Sequence, residues 1–317
     1  MRIVVLSTRE LGEKIVEAIL ASGDEVVGVY GSPTPAGVRD RMEEVAKRHG
    51  LPFQTVKKSI AGTEEFLENY KKLEPELNVM GGLRAFLPQS VLDYPRLGTV
   101  GWHPSLLPKY AGANSLCWPI INGETETANT VFWADHGIDS GPILLQKKVT
   151  IDPDETFLSL YRNKIVPGAI EMILEAIARI KDGTAQRVPQ DLSQYTYYSF
   201  ITEKDAEIRW KQPGQVIYNL IRGTNPNPGA SAVIGEKKLR IYDVELQRGF
   251  SEKMVQQVVV GQMKAGTIAE ISEAGILVAV PDGAILIKTT ALDGQKMTAA
   301  QAAAALELKV GDCFNAN

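Results

Sequence analysis

Short apolar runs alternate with amphipathic segments along the first half of the chain. The runs MRIVVL and DEVVGVYG flank residues 11–21, whose apolar positions fall on one helical face, so the chain opens with a predicted βαβ unit. Further helices are predicted at 38–49, at 63–73 and, interrupted near Pro167, at 157–180, and further strands at LPFQTV, ELNVMGGL, TVGWH and TANTVFWAD. The alternation predicts an α/β fold with a doubly wound, mostly parallel sheet over residues 1–182.

The pattern changes after residue 182. Residues 183–200 lack periodicity and are rich in Gly, Pro, Gln and Ser, which is typical of a linker or an extended strap. Residues 201–317 then show one helix near 213–222, several short strands separated by glycine turns, and the alanine-rich helix TAAQAAAALEL. Such spacing predicts a second domain built as a small antiparallel β-barrel.

Composition narrows the function classes. The 317 residues are 44% hydrophobic and 23% charged, with a net charge of -4, which is ordinary for a globular protein and gives no sign of a nucleic-acid surface. No apolar run approaches the ~20 residues that span a bilayer, and MRIVVLSTRE is too short and too soon charged for a signal peptide, so a cytoplasmic protein is expected. Cys117 and Cys313 stand far apart without metal-ligand spacing, and no disulfide framework or metal site is expected.

Candidate chemistry lies where two predicted strands end. The first strand is followed by no GxGxxG and the chain has no Walker sequence, so a nicotinamide or nucleotide cofactor is not expected. His103 ends the strand TVGWH, and Asp139 follows TVFWAD in a loop flanked by glycines. Ligands of open α/β sheets bind at the carboxyl ends of strands, where these side chains can meet as an acid–base pair. Without an evident serine or cysteine nucleophile, such a pair suits proton transfer during attack on a carbonyl.

Each candidate also has a structural interpretation. A histidine at a strand end is often a hydrogen-bonded structural residue, and an aspartate between glycines is often a turn former. Arg84 either binds an anionic ligand or is a solvated loop charge, and the residues alone leave that open. Trp102 and Trp133 are interpreted as packing residues.

Two long segments carry a family resemblance. HPSLLPKYAGANS together with NGETETANTVFWADHGIDSGPILLQ resembles the signature of the 10-formyltetrahydrofolate-dependent formyltransferases. That family includes methionyl-tRNA formyltransferase, sugar N-formyltransferases and the hydrolase domain of 10-formyltetrahydrofolate dehydrogenase. PDETFLSLYRNKIVPGAIEMI, QPGQVIYNLIRGTNPNPGA and LDGQKM most resemble that hydrolase domain. The resemblance implies a catalytic and folate-binding domain (1–182), a linker (183–200) and a C-terminal domain like an oligonucleotide-binding barrel (201–317).

The resemblance also implies a site. His103 and Asp139 take the places of the family's catalytic His and Asp, and 10-formyltetrahydrofolate is the implied formyl donor. An acceptor would attack the formyl carbon on N10, and the pair would manage charge and protons as the tetrahedral intermediate collapses. Backbone groups of two loops would hold the pterin, with Arg84 near the folate tail. The implied folate-binding residues are Gly82, Leu83, Arg84, Ala85, Phe86, Leu87, Ala134, Asp135, Gly137 and Asp139.

One departure bears on the acceptor. Amine-accepting members resemble one another in an Asn two residues before the His, where its amide helps to hold the formyl oxygen; here that position is Gly101. Losing such a donor typically costs ~3 kcal/mol of transition-state stabilisation. The hydrolase domain of the dehydrogenase lacks this Asn too, so formyl release to water or transfer to a small acceptor is the preferred hypothesis.

Two alternatives remain open at this stage. One is an amine N-formyltransferase acting on methionyl-tRNA, a nucleotide sugar or a carrier-bound amino acid. The weak charge and the short loop GSPTPAGVRDRMEE speak against tRNA, because the tRNA enzymes resemble each other in a Lys/Arg-rich insertion there. The other is a folate-binding protein with a decayed site.

Overall fold

A computed structural model describes residues 1–57, 59–83, 87–248, 258 and 263–315. The chain divides into two compact units, each of which gathers separate stretches of sequence. The first contains Met1–Ser115, Thr127–Val149 and Tyr161–Tyr198, and the second contains Leu116–Glu126, Thr150–Leu160 and Ser199–Asn317. The domain boundaries at 182 and 200 stay a prediction.

The secondary structure follows the chain in this order. The strands are β1 (Arg2–Ser7), β2 (Glu25–Gly31), β3 (Phe53–Thr55), β4 (Leu77–Gly81), β5 (Thr99–His103), β6 (Ala111–Gly112), β7 (Glu126–Trp133), β8 (Ile143–Thr150), β9 (Tyr197–Tyr198), β10 (Ala230–Ile234), β11 (Lys237–Arg248), β12 (Ile268–Ser272), β13 (Gly275–Val280), β14 (Gly283–Leu292) and β15 (Gln295–Thr298). The helices are α1 (Arg9–Ala21), α2 (Arg41–His49), α3 (Glu64–Lys71), α4 (Gln89–Leu92), α5 (Cys117–Ile121), α6 (Phe157–Leu160), α7 (Val166–Lys181), α8 (Gly214–Thr224) and α9 (Ala299–Ala305).

Seven of the described strands form the sheet of the first unit, in the order β3-β2-β1-β4-β5-β7-β8. The strands β3, β2, β1, β4 and β5 are parallel to one another, whereas β7 runs antiparallel to β5. On one face of the sheet, Val4 and Leu6 of β1 pack against Phe66 of α3. On the other face, α1 lies so close to β1 that a Cβ placed on Gly12 would be 2.9 Å from the side chain of Ser7. The predicted doubly wound, mostly parallel sheet is confirmed.

Local capping sets where the helices begin and end. The helix predicted over 38–49 begins only at Arg41, because the Asp40 carboxylate accepts hydrogen bonds from the backbone amides of the first turn and caps α2. It ends at Gly50, whose φ of 65° is the left-handed conformation that glycine adopts at helix ends. The interruption predicted in 157–180 is a π-helical turn at Tyr161–Ile165, and Pro167 lies in the first turn of α7, where proline is tolerated.

The second unit contains an antiparallel sheet. Its described strands follow the order β10-β11-β14-β13-β12, with β15 also paired to β14. The core beneath the sheet includes the stacked rings of Trp210 and Phe314, whose centroids are 5.1 Å apart. Reciprocal hydrogen bonds between Thr298 and Gln301 form a capping box that starts the alanine-rich helix α9. The predicted antiparallel fold is confirmed, and its closure into a barrel stays a prediction.

None of the described helices is long and apolar enough to cross a lipid bilayer.

Candidate active site

His103 is the last residue of β5, and its ring is fixed by the loop that follows. The residue is 5% exposed, and Nε2 lies 2.8 Å from the backbone oxygen of Tyr110. A carbonyl oxygen only accepts hydrogen bonds, so Nε2 is the donor and carries a proton. Nδ1 is therefore the unprotonated nitrogen of the neutral ring.

Asp139 lies against that nitrogen. Its Oδ2 is 3.4 Å from Nδ1 of His103 and accepts a hydrogen bond of 2.9 Å from the backbone amide of Gly112. If His103 carries both protons, the two groups form an ion pair that is 7% and 20% exposed at the side chains. If it does not, the lone pair of Nδ1 faces a carboxylate oxygen, an arrangement that a proton between the two atoms relieves. The geometry allows a proton to lie between the imidazole and the carboxylate.

The two side chains meet by a route that the sequence interpretation did not foresee. Both were expected at carboxyl ends of strands along one edge, but β7 is antiparallel to β5, with His103 opposite Thr130 and Val100 opposite Trp133. The strand β7 therefore ends at the edge remote from His103. The segment after Trp133 returns along the sheet over the ~13 Å length of β5, which five extended residues can span, to bring Asp139 to His103.

Two glycines let this returning loop fold tightly. A Cβ at Gly137 would lie 1.9 Å from Oγ of Ser140, and one at Gly141 would lie 1.7 Å from the backbone oxygen of Trp133. The carboxylate of Asp135 accepts hydrogen bonds from Gly137 N and Ser140 Oγ, both at 3.0 Å. Asp135, a predicted folate-binding residue, thus braces the loop with its side chain.

Gly101 lies on the same sheet face as His103, directly opposite Phe132 of β7. A Cβ at Gly101 would be 2.7 Å from Cζ of the Phe132 ring. That ring is 3% exposed and packs with Leu107, Ala111 and the partly buried Tyr195. Phe132 therefore occupies the space that a side chain at position 101 would take. The sequence did not predict this contact, because Phe132 is one of several apolar residues in the same strand.

The predicted folate-binding loop begins at the edge where His103 lies. Gly81 pairs with Trp102, so Gly82 follows at the level of His103; its φ is 68° and its oxygen accepts a hydrogen bond from Thr8. Leu83 and Leu87 pack against the hydrophobic cluster that contains Val4 and Leu6. The predicted residues Arg84, Ala85 and Phe86 lie outside the described residues.

The structure also places Trp102, Trp133 and His136. Trp102 donates from Nε1 to Oδ1 of Asn129 at 2.9 Å, and Trp133 donates to the backbone oxygen of Gln186 at 2.9 Å. His136 is exposed in the returning loop. No group of three or more potential His, Cys, Asp or Glu metal ligands occurs in the described part of the chain.

Sequence reasoning missed a set of contacts from residues 186–198. Gln190 donates from Nε2 to the backbone oxygens of Asp139 and Gly141, at 2.8 and 2.7 Å, and the Tyr195 hydroxyl donates to the oxygen of Ile138 at 3.0 Å. Burial, and after it the charge of Asp139, raises the pKa of Tyr195, which keeps the hydroxyl protonated as a donor. A non-periodic segment rich in Gln and Tyr gave no signal for these roles.

A buried imidazole beside a carboxylate on an open α/β sheet is an arrangement that can take up and return a proton. The family model described as formyl transferase matches residues 1–177, and the model for the formyl transferase C-terminal domain matches residues 200–306. The chain belongs to the formyl transferase family, which confirms the resemblance found in the sequence.

Similar proteins fall into several branches of that family. The chain is 34% identical over 319 residues to the mouse cytosolic 10-formyltetrahydrofolate dehydrogenase, covering 97% of this chain and 35% of that protein. Its match to the Xenopus tropicalis enzyme of the same name is 35% identical over 76% of this chain and 27% of that protein, so the chain spans about a third or less of these relatives. It is 33% identical to the methionyl-tRNA formyltransferase of Geobacter metallireducens, over 95% of this chain and 94% of that protein.

Solved structures share the fold at lower identity. HypX from Aquifex aeolicus, in complex with tetrahydrofolic acid, superposes with a TM-score of 0.69 at 18% identity, over 98% of this chain and 48% of that one. The sugar 3N-formyl transferase WlaRD, solved with dTDP and 5-N-formyl-THF, gives 0.68 at 18% identity, over 93% and 98%.

Proposed function

We propose that this protein takes the formyl group from 10-formyltetrahydrofolate and passes it to water or a small acceptor. The observation that carries the proposal is the contact between the buried His103 and the partly buried Asp139, beside Gly101, whose side-chain space is filled by Phe132. Identity of 34% with a 10-formyltetrahydrofolate dehydrogenase over nearly the whole chain supports the donor. The cytosolic relatives support a place in cytoplasmic one-carbon metabolism.

The two loops around the pair suit a flat, polar ring system. The predicted folate-binding residues lie in the loops Gly82–Leu87 and Ala134–Asp139. Among the described ones, Leu83 and Leu87 pack against the hydrophobic cluster of Val4 and Leu6, and the proposed pterin contacts are made by backbone amides and carbonyls. Pterin edges carry hydrogen-bond donors and acceptors that such backbone groups can match. In this proposal the loops contact the pterin through backbone groups, and Arg84 is the candidate near the folate tail.

In the proposed reaction, His103 and Asp139 transfer protons. The oxygen of the acceptor attacks the formyl carbon, and the acceptor's proton passes to the pair. The positive charge on His103 stabilises the oxyanion of the tetrahedral intermediate. As the bond from carbon to N10 breaks, the pair returns a proton to N10, and tetrahydrofolate leaves. With water as acceptor, the second product is formate.

An amine acceptor is the second candidate. It is favoured by the match to a methionyl-tRNA formyltransferase over 94% of that enzyme's length. Gly101 speaks against it, because the position offers no side-chain amide to hold the formyl oxygen.

Incubation with 10-formyltetrahydrofolate alone, followed by absorbance, tests the proposal. Slow release of tetrahydrofolate that is lost in His103→Ala is the expected result. Release that begins only when charged methionyl-tRNA or an amino sugar nucleotide is added establishes the amine transferase instead. Folate binding without turnover under any of these conditions contradicts both functions.

A further inference from the structure

Residues 186–198, here called the strap, cross the candidate site of the first unit and touch both loops that carry it. Trp133 is bonded to the oxygen of Gln186, and Ile143 and Val188 form an antiparallel bridge. Further along, β9 pairs in parallel with β6. The strap is therefore attached along its length rather than at its ends alone.

On one side the strap holds the backbone around Asp139. The amide of Gln190 and the hydroxyl of Tyr195 together bind the carbonyl oxygens of Ile138, Asp139 and Gly141. Asp139 has a φ of 53°, in the left-handed region that non-glycine residues rarely adopt. Such a conformation persists where surrounding bonds fix it, and here three carbonyl anchors come from the strap.

On the other side the strap holds the backbone that faces His103. Thr196 accepts a hydrogen bond of 2.8 Å from Tyr110 N at its Oγ1 and one of 2.9 Å from Ala111 N at its backbone oxygen. The oxygen of Tyr110 is the acceptor for His103 Nε2, and the ring of Tyr110 stacks on Tyr198 at a centroid distance of 5.1 Å. The peptide that fixes the histidine ring is thus itself fixed by the strap.

We propose that Gln190, Tyr195 and Thr196 are positioning residues for the formyl-transfer reaction. They act through the backbone, because their bonds go to peptide groups that carry or contact the two catalytic side chains. The inference rests on the proposed function for its chemistry. A misplacement of about 1 Å in a catalytic group can cost up to ~100-fold in rate, so the loss of these bonds reduces kcat more than it raises KM for the folate.

Two substitutions remove bonds with little change in shape. Gln190→Met loses both amide bonds, and Tyr195→Phe loses one hydroxyl while keeping the ring against Phe132. Matched controls lie on the same strap: Gln194→Met loses only a bond to Asp191, and Tyr197→Phe loses an exposed hydroxyl. The expected result is a fall in kcat of ~10-fold or more for the first pair and less than ~2-fold for the controls.

Hydrogen–deuterium exchange separates positioning from general loss of stability. In Gln190→Met and Tyr195→Phe, peptides covering 134–141 are expected to exchange faster, and in Thr196→Val, which loses the Oγ1 acceptor of Tyr110 N, peptides covering 108–115 are expected to do so. Peptides of β1 and β4 keep the wild-type rate, and the melting curve shows a folded protein. Unchanged exchange in both loops overturns the inference whatever the substrate is. Wild-type kcat in both variants, with His103→Ala inactive, overturns it too. A wild-type protein that processes no formyl donor defeats the proposed function, and the exchange data still decide the structural part.

Discussion

A single methyl group at position 101 tests how the site is built. Because Phe132 lies opposite, the Cβ of Gly101→Ala would stand 2.7, 2.9 and 3.3 Å from three atoms of its ring. Ala in a strand is otherwise favoured over Gly by roughly 0.5–1 kcal/mol, whereas overpacking a core costs about 1–3 kcal/mol. Overpacking outweighs the gain by about 0.5–2 kcal/mol, and Gly101→Ala is expected to lower the melting temperature by roughly 1–8 °C for a unit of this size.

A double-mutant cycle isolates the cause. In a Phe132→Leu background the ring atoms are gone, so Gly101→Ala is expected to become neutral or stabilising, a coupling of about 1–3 kcal/mol. Gly62→Ala is the matched control, since a Cβ there meets nothing within 4 Å. Urea unfolding of the four proteins measures the cycle. An equal cost of Gly101→Ala in both backgrounds would show that Phe132 does not fill that space.

The same geometry predicts the behaviour of Gly101→Asn. The larger side chain meets the same ring, so it is expected to reduce formyl release and not to confer amine transfer. Rapid formylation of methionyl-tRNA by Gly101→Asn would refute the assignment of this space to Phe132.

Three further predictions concern the pair, the donor and acid stability. His103→Ala and Asp139→Asn are each expected to lower turnover by at least ~100-fold with folding intact, and the double variant to be little worse, because the two act as one unit; additive losses would mean that they do not. A reduced folate analogue at 100 times its Kd is expected to stabilise the protein by ~2.7 kcal/mol in a melting assay, and calorimetry without binding at millimolar folate would contradict the donor. Burial opposes the ionisation of Asp24, but hydrogen bonds from Lys181 and the Met1 ammonium outweigh it and lower its pKa. This carboxylate therefore adds stability above its unfolded value near ~3.9 that is lost as the pH falls through the lower folded value, and Asp24→Asn should flatten the acid limb of a stability curve.

The pattern of apolar and polar residues predicted most of the strands and helices of the first unit. Continuous β-branched runs between amphipathic segments predict buried parallel strands, but the cap at Asp40 was missed, because the helix was predicted from residue 38. The direction in which a strand pairs cannot be predicted from the apolar pattern either. The run TANTVFWAD has the same apolar pattern whichever way it pairs, so the antiparallel β7 and the return of the loop that carries Asp139 needed the structure.

Some residues of the candidate site could be predicted from the sequence and others could not. His103 and Asp139 stand in a signature that can be compared between sequences, and both were named from it. Gln190, Tyr195 and Thr196 act through bonds to carbonyls and amides of other loops, and such bonds leave neither a periodicity nor a charge pattern. Phe132 was visible only as part of an apolar strand, because its contact with position 101 depends on cross-strand register.

Because β7 is antiparallel to β5, the number of residues in the segment between Trp133 and Asp139 is constrained. Its length must match that of β5, since it starts at one edge of the sheet and delivers a carboxylate to a histidine at the other. Adding or removing one residue among 134–138 shifts the carboxylate by ~3.3 Å, about the full distance that now separates it from the imidazole. Variants of this family built by exchanging loops must therefore conserve the number of residues here before their identity matters.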